Sequence, residues 1–428
     1  MKTTTKFRRA WIMALILSST SSIFAMGEKE EIIDTTRFDI YQGTILDALN
    51  GRTLPFATVE AAGSNVATVT NIDGDFTIKI AKDARVSELK ISYIGYANKI
   101  VPLSEFKGDR SRSISLNPSA VQLQEITIRP EDALVLITDV LGNIKNNYSQ
   151  VPMMMRGFYR ETIQRGRNYA SISEAVVDIY KSAYANTFQT DQVRLFKGRK
   201  SADVEKMDTV LFKLQGGPST SVLLDVVKNP YILLSIEYAE IYDFYLSDVI
   251  SINDKLHYVV TFNQKSFVDE PYYKGKLYIE MDKLAITEAE FELNIDNKEE
   301  AARLFIQRKP MGMDITPEKA VYRVKYTIED NHWYFSYARA EVKFNVDWKK
   351  KLFNTTYSAM SEIAITDRSY DDIEKFANKD RFKSSDVMNE LVYVFFDQGF
   401  WGGYNVIEPD QSIESAIRKL NRKYLKRD

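Results

Sequence analysis

The clearest pattern of hydrophobic and polar positions lies between about residues 255 and 367. Runs such as 277–281, 289–293 and 340–348 alternate apolar with charged or polar residues. In an extended chain, a period of two places the apolar side chains on one face and the charged ones on the other. The pattern predicts an antiparallel β-meander of roughly six strands, with one face in the core and the other face in solvent.

A second β-rich region, over about residues 37–129, is built from shorter runs. They recur about every 8–15 residues and are separated by turn signals such as Asn50-Gly51, which is typical of a small β-sandwich. The runs 67–70 and 76–80 flank a turn in which Gly74 permits a positive φ. We therefore expect these two runs to pair as a hairpin.

Apolar residues at helical spacing mark two further segments. Pro130 and the two acids after it are typical of a helix start, and the spacing predicts a linking helix over about 130–150. Pro409 and Asp410 predict the start of a C-terminal helix, and six of the last 11 residues of the chain are Lys or Arg. This basic end has two interpretations, peripheral contact with anionic lipid or a docked helix with a solvated basic face. Its apolar face comprises Ile413, Ala416, Ile417 and Leu420.

The N-terminus has the pattern of a secretory signal peptide. Basic residues precede the apolar run 10–17, and a Ser/Thr-rich stretch then leads to Ala25. The apolar run is much shorter than the roughly 20 residues that a membrane-spanning helix requires. We therefore expect an exported chain that resides in the periplasm or is associated with the outer membrane or cell surface.

Four motifs in the first β-rich region resemble the carboxypeptidase regulatory-like domain, a transthyretin-like β-sandwich of Gram-negative envelope proteins. The order and spacing of the motifs match, and the run 125–128 resembles the closing strand of that family. One departure is Asn71, where the family usually has Asp, but Asn suits the same turn. The resemblance implies a non-catalytic interaction or positioning module. The motifs are 43–47 (GTILD), 54–59 (LPFATV), 70–76 (TNIDGDF) and 91–96 (ISYIGY).

Together these patterns predict a mainly β chain with a small N-terminal sandwich, a linking helix and a larger antiparallel meander domain that contains a few helices. The predicted units are a signal peptide (1–25), a linker (26–36), the regulatory-like sandwich (37–129), the linking helix (130–150) and a β-rich domain of unknown function with a basic C-terminal helix (151–428).

The amino-acid composition mainly excludes certain partners and certain kinds of site. The chain has 428 residues, with 57 Lys and Arg against 59 Asp and Glu, no Cys and two His. Its charge balance lacks the basic excess of a nucleic-acid-binding protein, so we expect no nucleic-acid partner. Without Cys there is no disulfide, thiolate zinc site or Fe–S cluster, and two His are too few for a three-histidine metal centre. We expect no cofactor and no metal site.

The motifs of familiar hydrolases are missing from the chain. Neither His257 nor His332 is followed by Glu three residues later, as a zinc carboxypeptidase requires, and we interpret both as structural residues. Ser-x-x-Lys occurs at 87–90 and 104–107, but both copies lie in the predicted sandwich rather than on a helix. The sequence contains no Gly-x-Ser-x-Gly, no P-loop and no Gly-x-Gly-x-x-Gly.

The segment 71–75 contains Asn71, Asp73 and Asp75 at the spacing of calcium ligands. A calcium loop would continue with Gly and a later Glu, where this chain has Phe76 and Lys82. We therefore interpret the segment as a turn.

Three acids share one face of a predicted strand, namely Glu288, Glu290 and Glu292. Like charges so placed repel each other, so we expect a solvated sheet face rather than a pair divided into acid and base. Because two carboxyl groups suffice for glycoside hydrolysis, a carboxylate-based hydrolase stays among the hypotheses.

Three hypotheses of function follow. The favoured one is a non-catalytic envelope protein whose sandwich positions it and whose larger β domain binds a partner or ligand. The second is a periplasmic carrier of an apolar ligand, lipid or lipoprotein, because the segment 273–293 resembles the repeated strands of periplasmic lipoprotein-carrier half-barrels. The third is the carboxylate-based hydrolase.

Overall fold

The computed structural model describes nine stretches of the chain, and the predicted signal peptide, linker and closing strand 125–128 lie outside them. Among the described residues, no helix is both long enough and apolar enough to cross a membrane. The described residues are 37–106, 111–119, 133–186, 188–202, 216–234, 241–305, 312–348, 354–394 and 399–424.

The first unit is a β-sandwich of two sheets. One sheet has the strand order β4-β1-β7 and the other has the order β3-β2-β5-β6. Alternate residues of both sheets point inward and form one apolar core, which includes Ile45, Phe76 and Ile91. The strands are β1 (Phe38–Asp47), β2 (Thr58–Ala61), β3 (Ala67–Val69), β4 (Asp75–Ala81), β5 (Glu88–Ser92), β6 (Lys99–Pro102) and β7 (Arg112–Leu116).

The predicted hairpin between residues 67 and 80 is wrong in its pairing, although the turn exists. Gly74 has a φ of 80°, and the Asn71 side chain accepts the backbone N–H groups of Asp73 and Asp75. However, β3 pairs with β2 and β4 pairs with β1, so the chain crosses from one sheet to the other at this turn. Turn chemistry determines where the chain reverses, but the partner of each strand depends on segments distant in sequence.

The second unit is a large, almost entirely antiparallel sheet with the order β11-β12-β13-β14-β15-β16-β17-β8-β9-β10-β18. The six consecutive strands from β12 to β17 form the predicted meander, which is confirmed. The strands are β8 (Met153–Arg165), β9 (Asn168–Lys181), β10 (Gln192–Ala202), β11 (Tyr242–Ile252), β12 (Lys255–Gln264), β13 (Tyr273–Glu280), β14 (Ala285–Leu293), β15 (Met313–Glu329), β16 (His332–Trp348), β17 (Thr355–Ser369) and β18 (Tyr393–Val394).

One face of this sheet, here called the inner face, packs against helices and the segment 216–234. Helix α1 (Ala133–Asn147) buries Leu136, Ile137 and Val140 against it. The predicted linking helix is therefore part of the core of the second unit. Three further helices are α2 (Gly217–Leu223), α3 (Lys298–Phe305) and α4 (Met388–Leu391).

The opposite face, here called the outer face, was expected to be in solvent, and this expectation is wrong for the part of the face that other segments cover. The charged side chains of Glu288 and Lys325 on this face are buried, with exposed fractions of 5% each. The sandwich and a C-terminal segment contact this face. Alternation in the sequence separates polar from apolar positions, but it does not reveal that polar side chains are covered by another part of the chain.

The C-terminal helix α5 (Gln411–Tyr424) is docked. Ile413 and Leu420 are buried against Ile172 of β9, which favours the docked interpretation over lipid contact. Asp410 begins the helix, because its carboxylate accepts the backbone N–H of Ile413 at 2.8 Å.

We predict that Asp410→Ala lowers the free energy of unfolding by about 1 kcal/mol, because it removes this helix cap. The measurement is the urea midpoint of the full chain. Asp410→Asn is the matched control, because Asn caps a helix about as well as Asp. Equal destabilisation by both substitutions would contradict the capping role.

Candidate functional site

A C-terminal segment, residues 399–411, connects the sandwich to the outer face and is here called the strap. Its Asn405 side chain exchanges two hydrogen bonds with the backbone of Lys79, of 2.7 and 3.0 Å. Thr68 of the sandwich donates to the carbonyl of Val406 at 3.2 Å. Asn405 thereby takes the position that a neighbouring strand would have beside β4, and it ties the strap to the sandwich.

The contact region of sandwich, strap and outer face, here called the joint, has an apolar part. Phe56 of the sandwich stacks on Tyr337 of the sheet at 5.9 Å between ring centroids. Trp401 of the strap packs edge-on against Phe158 of the sheet at 5.4 Å. The cluster comprises Val69, Phe158, Val176, Tyr337, Ala364, Phe400, Trp401, Val406 and Ile407, with Phe56 and Tyr404 at its edge.

Arg160 of β8 is the centre of the charged part of the joint. Its exposed fraction is 1%. The Nε atom donates to Glu174 at 2.9 Å, Nη1 donates to Glu362 at 3.2 Å, and Nη2 donates to the carbonyl of Ile407 at 2.7 Å. One guanidinium therefore connects two neighbouring strands of the sheet to the strap.

Two further arginines complete the pairing of these carboxylates. Arg199 donates to Glu174 at 2.8 Å and Arg339 donates to Glu362 at 2.8 Å. Burial acts to raise the pKa of Glu174, but Arg160 and Arg199 outweigh it and hold the pKa below its ordinary value. Glu174 is therefore a paired, ionised carboxylate and is poorly suited to act as a general acid.

A second charged group lies where the sandwich meets β14 and β15. Lys325 donates to the carbonyl of Phe56 at 2.7 Å and forms an ion pair with Glu288 at 3.7 Å. Arg323 pairs with both Glu288 and Glu290. The guanidinium of Arg323 also lies 5.3 Å from the centroid of the Phe56 ring, in a cation–π contact.

The three glutamates predicted to be solvated therefore occupy different environments. Glu288 and Glu290 are part of the joint, whereas Glu292 is half-buried and forms an ion pair with Lys274. Burial raises the pKa of Glu288, while Lys325 and Arg323 oppose this effect. The prediction was wrong because the opposite charges that neutralise Glu288 and Glu290 lie on the neighbouring strand β15.

The candidate calcium ligands and the two Ser-x-x-Lys copies have ordinary structural contacts. Asp73 accepts the backbone N–H of Gln411 at 2.8 Å, and Asp75 accepts the hydroxyl of Thr44 at 2.5 Å. Lys90 pairs with Glu60, Ser104 lies in a single turn of 3-10 helix, and Lys107 is outside the described residues. In the part of the chain that the structure describes, no group of three His, Cys, Asp or Glu residues could hold a metal ion.

Both histidines contact the backbone. His257 lies fully buried in β12, and its Nδ1 is 2.9 Å from the carbonyl of Lys255. His332 is half-buried at the start of β16, with its Nδ1 3.1 Å from the carbonyl of Asp330. Burial lowers the pKa of His257 to about 4.

One buried ion cluster on the inner face was missed in the sequence. Lys181 donates to Asp191 at 2.6 Å and to Asp225 at 2.7 Å, and Tyr326 also donates to Asp225. Burial acts to lower the pKa of Lys181, but the two carboxylates outweigh it and raise the pKa above its ordinary value. The cluster anchors the segment 216–234 against the sheet.

A lone carboxyl group on the inner face was also missed. Glu161 of β8 accepts the hydroxyl of Tyr159 at 2.8 Å. Burial raises the pKa of Glu161 to about 7, and the hydroxyls of Tyr159 and Ser173 oppose the shift. The sequence does contain a signal that Glu161 is buried, because strand alternation places it on the same face as the apolar residues Tyr159 and Ile163.

We predict that Arg160→Met destabilises the full chain by about 3–5 kcal/mol, because it leaves two buried carboxylates without their shared partner. The measurement is chemical unfolding monitored by tryptophan fluorescence. Arg303→Met is the control, because Arg303 is exposed and pairs within its own helix. A loss of less than about 1 kcal/mol for Arg160→Met would contradict the central role of this guanidinium.

We predict that His257 makes the protein less stable in acid. Its folded-state pKa of about 4 lies below the ordinary value of 6.5, so the unfolded chain binds the proton more readily. The stability from neutral His257 is thus present above about pH 6.5 and is lost as the pH falls towards 4. His257→Gln should flatten the dependence of the urea midpoint on pH across this window, with His332→Gln as the control. A variant that keeps the full slope would contradict the assignment.

Comparison with known proteins gives one family match. Residues 41–128 match the family described as the CarboxypepD_reg-like domain. No curated protein matches the chain significantly.

Several solved structures are distantly similar to this chain. A DUF1329 family protein from Desulfovibrio piger is 13% identical, with 57% of this chain and 95% of that chain covered and a TM-score of 0.25. The MucA/MucB complex of Pseudomonas aeruginosa gives 12% identity, 54% and 93% coverage and a TM-score of 0.19. Lipovitellin, in a structure describing lipid–protein interactions, gives 11% identity, 59% and 28% coverage and a TM-score of 0.25. At these TM-scores the three structures support no inference about this chain.

The family match agrees with the motifs and with the observed sandwich. Residues 41–128 are a CarboxypepD_reg-like domain.

Proposed function

We propose that this protein is a non-catalytic exported envelope protein in which the sandwich positions the molecule and the larger β unit binds a partner. The joint is the observation that carries the proposal. Its hydrogen bonds and paired charges hold the sandwich and the strap against the sheet, so that the two units are in fixed contact. Export rests on the predicted signal peptide over residues 1–25.

The side chains most suited to catalysis support the non-catalytic part of the proposal. His257 is buried in a strand, and Glu174, Glu288 and Glu362 are paired with arginine or lysine. Burial raises the pKa of Glu161 to about 7, and the described groups that oppose this shift are the hydroxyls of Tyr159 and Ser173. A carboxylate-based hydrolase would need a second carboxyl group close to the first.

A carrier of an apolar ligand is the second candidate, and a row of aromatic rings on the inner face favours it. Phe262 packs against Tyr242 at 5.4 Å between centroids, and Phe291 packs against Tyr273 at 5.3 Å and Tyr322 at 5.1 Å. The row crosses strands β11 to β15 and belongs to the same core as α1. Aromatic rings of this kind bind apolar ligands through large contact areas.

We expect native mass spectrometry of the mature protein, purified gently from its own cell envelope, to show a stoichiometric protein companion. The physical reason is that a partner bound to a preformed surface survives gentle extraction. A lipid-sized adduct that organic solvent removes would instead support the carrier. A bare monomer from several mild extractions would contradict both candidates and return attention to the hydrolase.

A further inference from the structure

The inner face contains one carboxyl group that no cation of the protein neutralises. Glu161 has an exposed fraction of 3%. The one well-oriented hydrogen bond of its side chain among the described residues is the 2.8 Å bond from the Tyr159 hydroxyl. Across the described stretches, no Lys, Arg or His forms an ion pair with it, whereas Glu174, Glu288 and Glu362 all have such partners.

Three serines from other elements lie beside Glu161 or beside its neighbour on the inner face. In the strand register, Glu161 lies directly between Ser173 of β9 and Ser361 of β17. Ser221 of α2, which covers this part of the inner face, donates to the Ser361 hydroxyl at 3.4 Å. The Ser173 hydroxyl is fully buried and approaches the carboxyl, but it makes no well-oriented hydrogen bond.

This set of oxygen atoms has unused capacity to bind a positive charge. An ionised carboxylate has about four lone-pair sites, and each hydroxyl also has lone pairs to offer. A buried carboxylate with one hydrogen bond and no counter-charge is unfavourable, so it must acquire either a proton or a cation. Hard cations prefer oxygen ligands, and a divalent cation is typically held by more than one carboxylate. A set of one carboxylate and neutral hydroxyls therefore suits a single positive charge.

We propose that Glu161, Ser173, Ser221 and Ser361 form a binding site for a monovalent metal cation such as Na⁺. The site lies on the inner face where α2 meets the sheet. Because Ser221 belongs to α2 while the other three residues belong to the sheet, occupation of the site fastens the segment 216–234 to the strands. The site is independent of the joint, of the histidines and of the proposed partner.

The test compares thermal unfolding of the full chain at constant ionic strength and pH 8, with NaCl replaced stepwise by choline chloride. Choline is too large to enter a site formed by Glu161 and three serines. We expect Na⁺ to raise the Tm saturably by about 2–4 °C, the shift that a site filled well above its Kd produces in a chain of this size. Glu161→Gln should abolish the difference between the two salts. Glu414→Gln, at an exposed glutamate of α5, is the matched control and should keep it.

A second variant and a direct measurement cover the case in which Glu161→Gln fails to fold. Ser173→Ala removes only a buried hydroxyl that makes no well-oriented hydrogen bond, and we expect it to raise the half-saturating NaCl concentration about tenfold. Broadening of the sodium NMR line by the protein, diminished in Ser173→Ala, would report binding without reference to stability. Equal Tm values in the two salts together with an unbroadened sodium line would overturn the proposal and leave Glu161 as a buried neutral acid.

Discussion

A guanidinium group keeps its charge at every pH that a protein experiences, and Arg160 is buried. Such a group must be surrounded by acceptors, and here two glutamates and one strap carbonyl supply them. The positions of β8, β9, β17 and the strap relative to one another are constrained by this requirement. The strap also holds the sandwich in place. It accepts a hydrogen bond from Arg160, and its Asn405 side chain is hydrogen-bonded to the backbone of Lys79 in the sandwich.

The two faces of the large sheet bury different kinds of side chain. The inner face is a conventional apolar core that contains α1 and one ion cluster around Lys181. The covered part of the outer face is charged, and its ions pair with one another beneath the sandwich and the strap. Buried ion pairs add little net stability compared with apolar packing, but a wrong arrangement leaves charges unpaired. We interpret the outer-face pairs as selecting one arrangement of the two units.

Much of the fold could be predicted from local patterns, whereas the candidate sites could not. Alternation identified the strands from β12 to β17, and helix-start signals located α1 and α5. The pairing of β3 and β4 with different partners was not predictable, because it depends on β1 and β2. The joint was missed for a similar reason, since the carbonyl that Arg160 requires lies 247 residues away in the sequence. At Glu161 the alternation itself carried a signal, namely a charge on an otherwise apolar face.

The contacts of the sandwich with β17 and with the strap also determine the order in which the molecule can be completed during synthesis. The sandwich is made first, but its hydrogen bonds to Arg368 and Val406 span 303 and 338 residues of sequence. Neither bond can form until nearly the whole chain has left the ribosome or, for an exported chain, has crossed the membrane. Contacts of such long range also make folding slow, because the intervening chain must be ordered before they are gained. The domain that emerges first is therefore the last to find its final place.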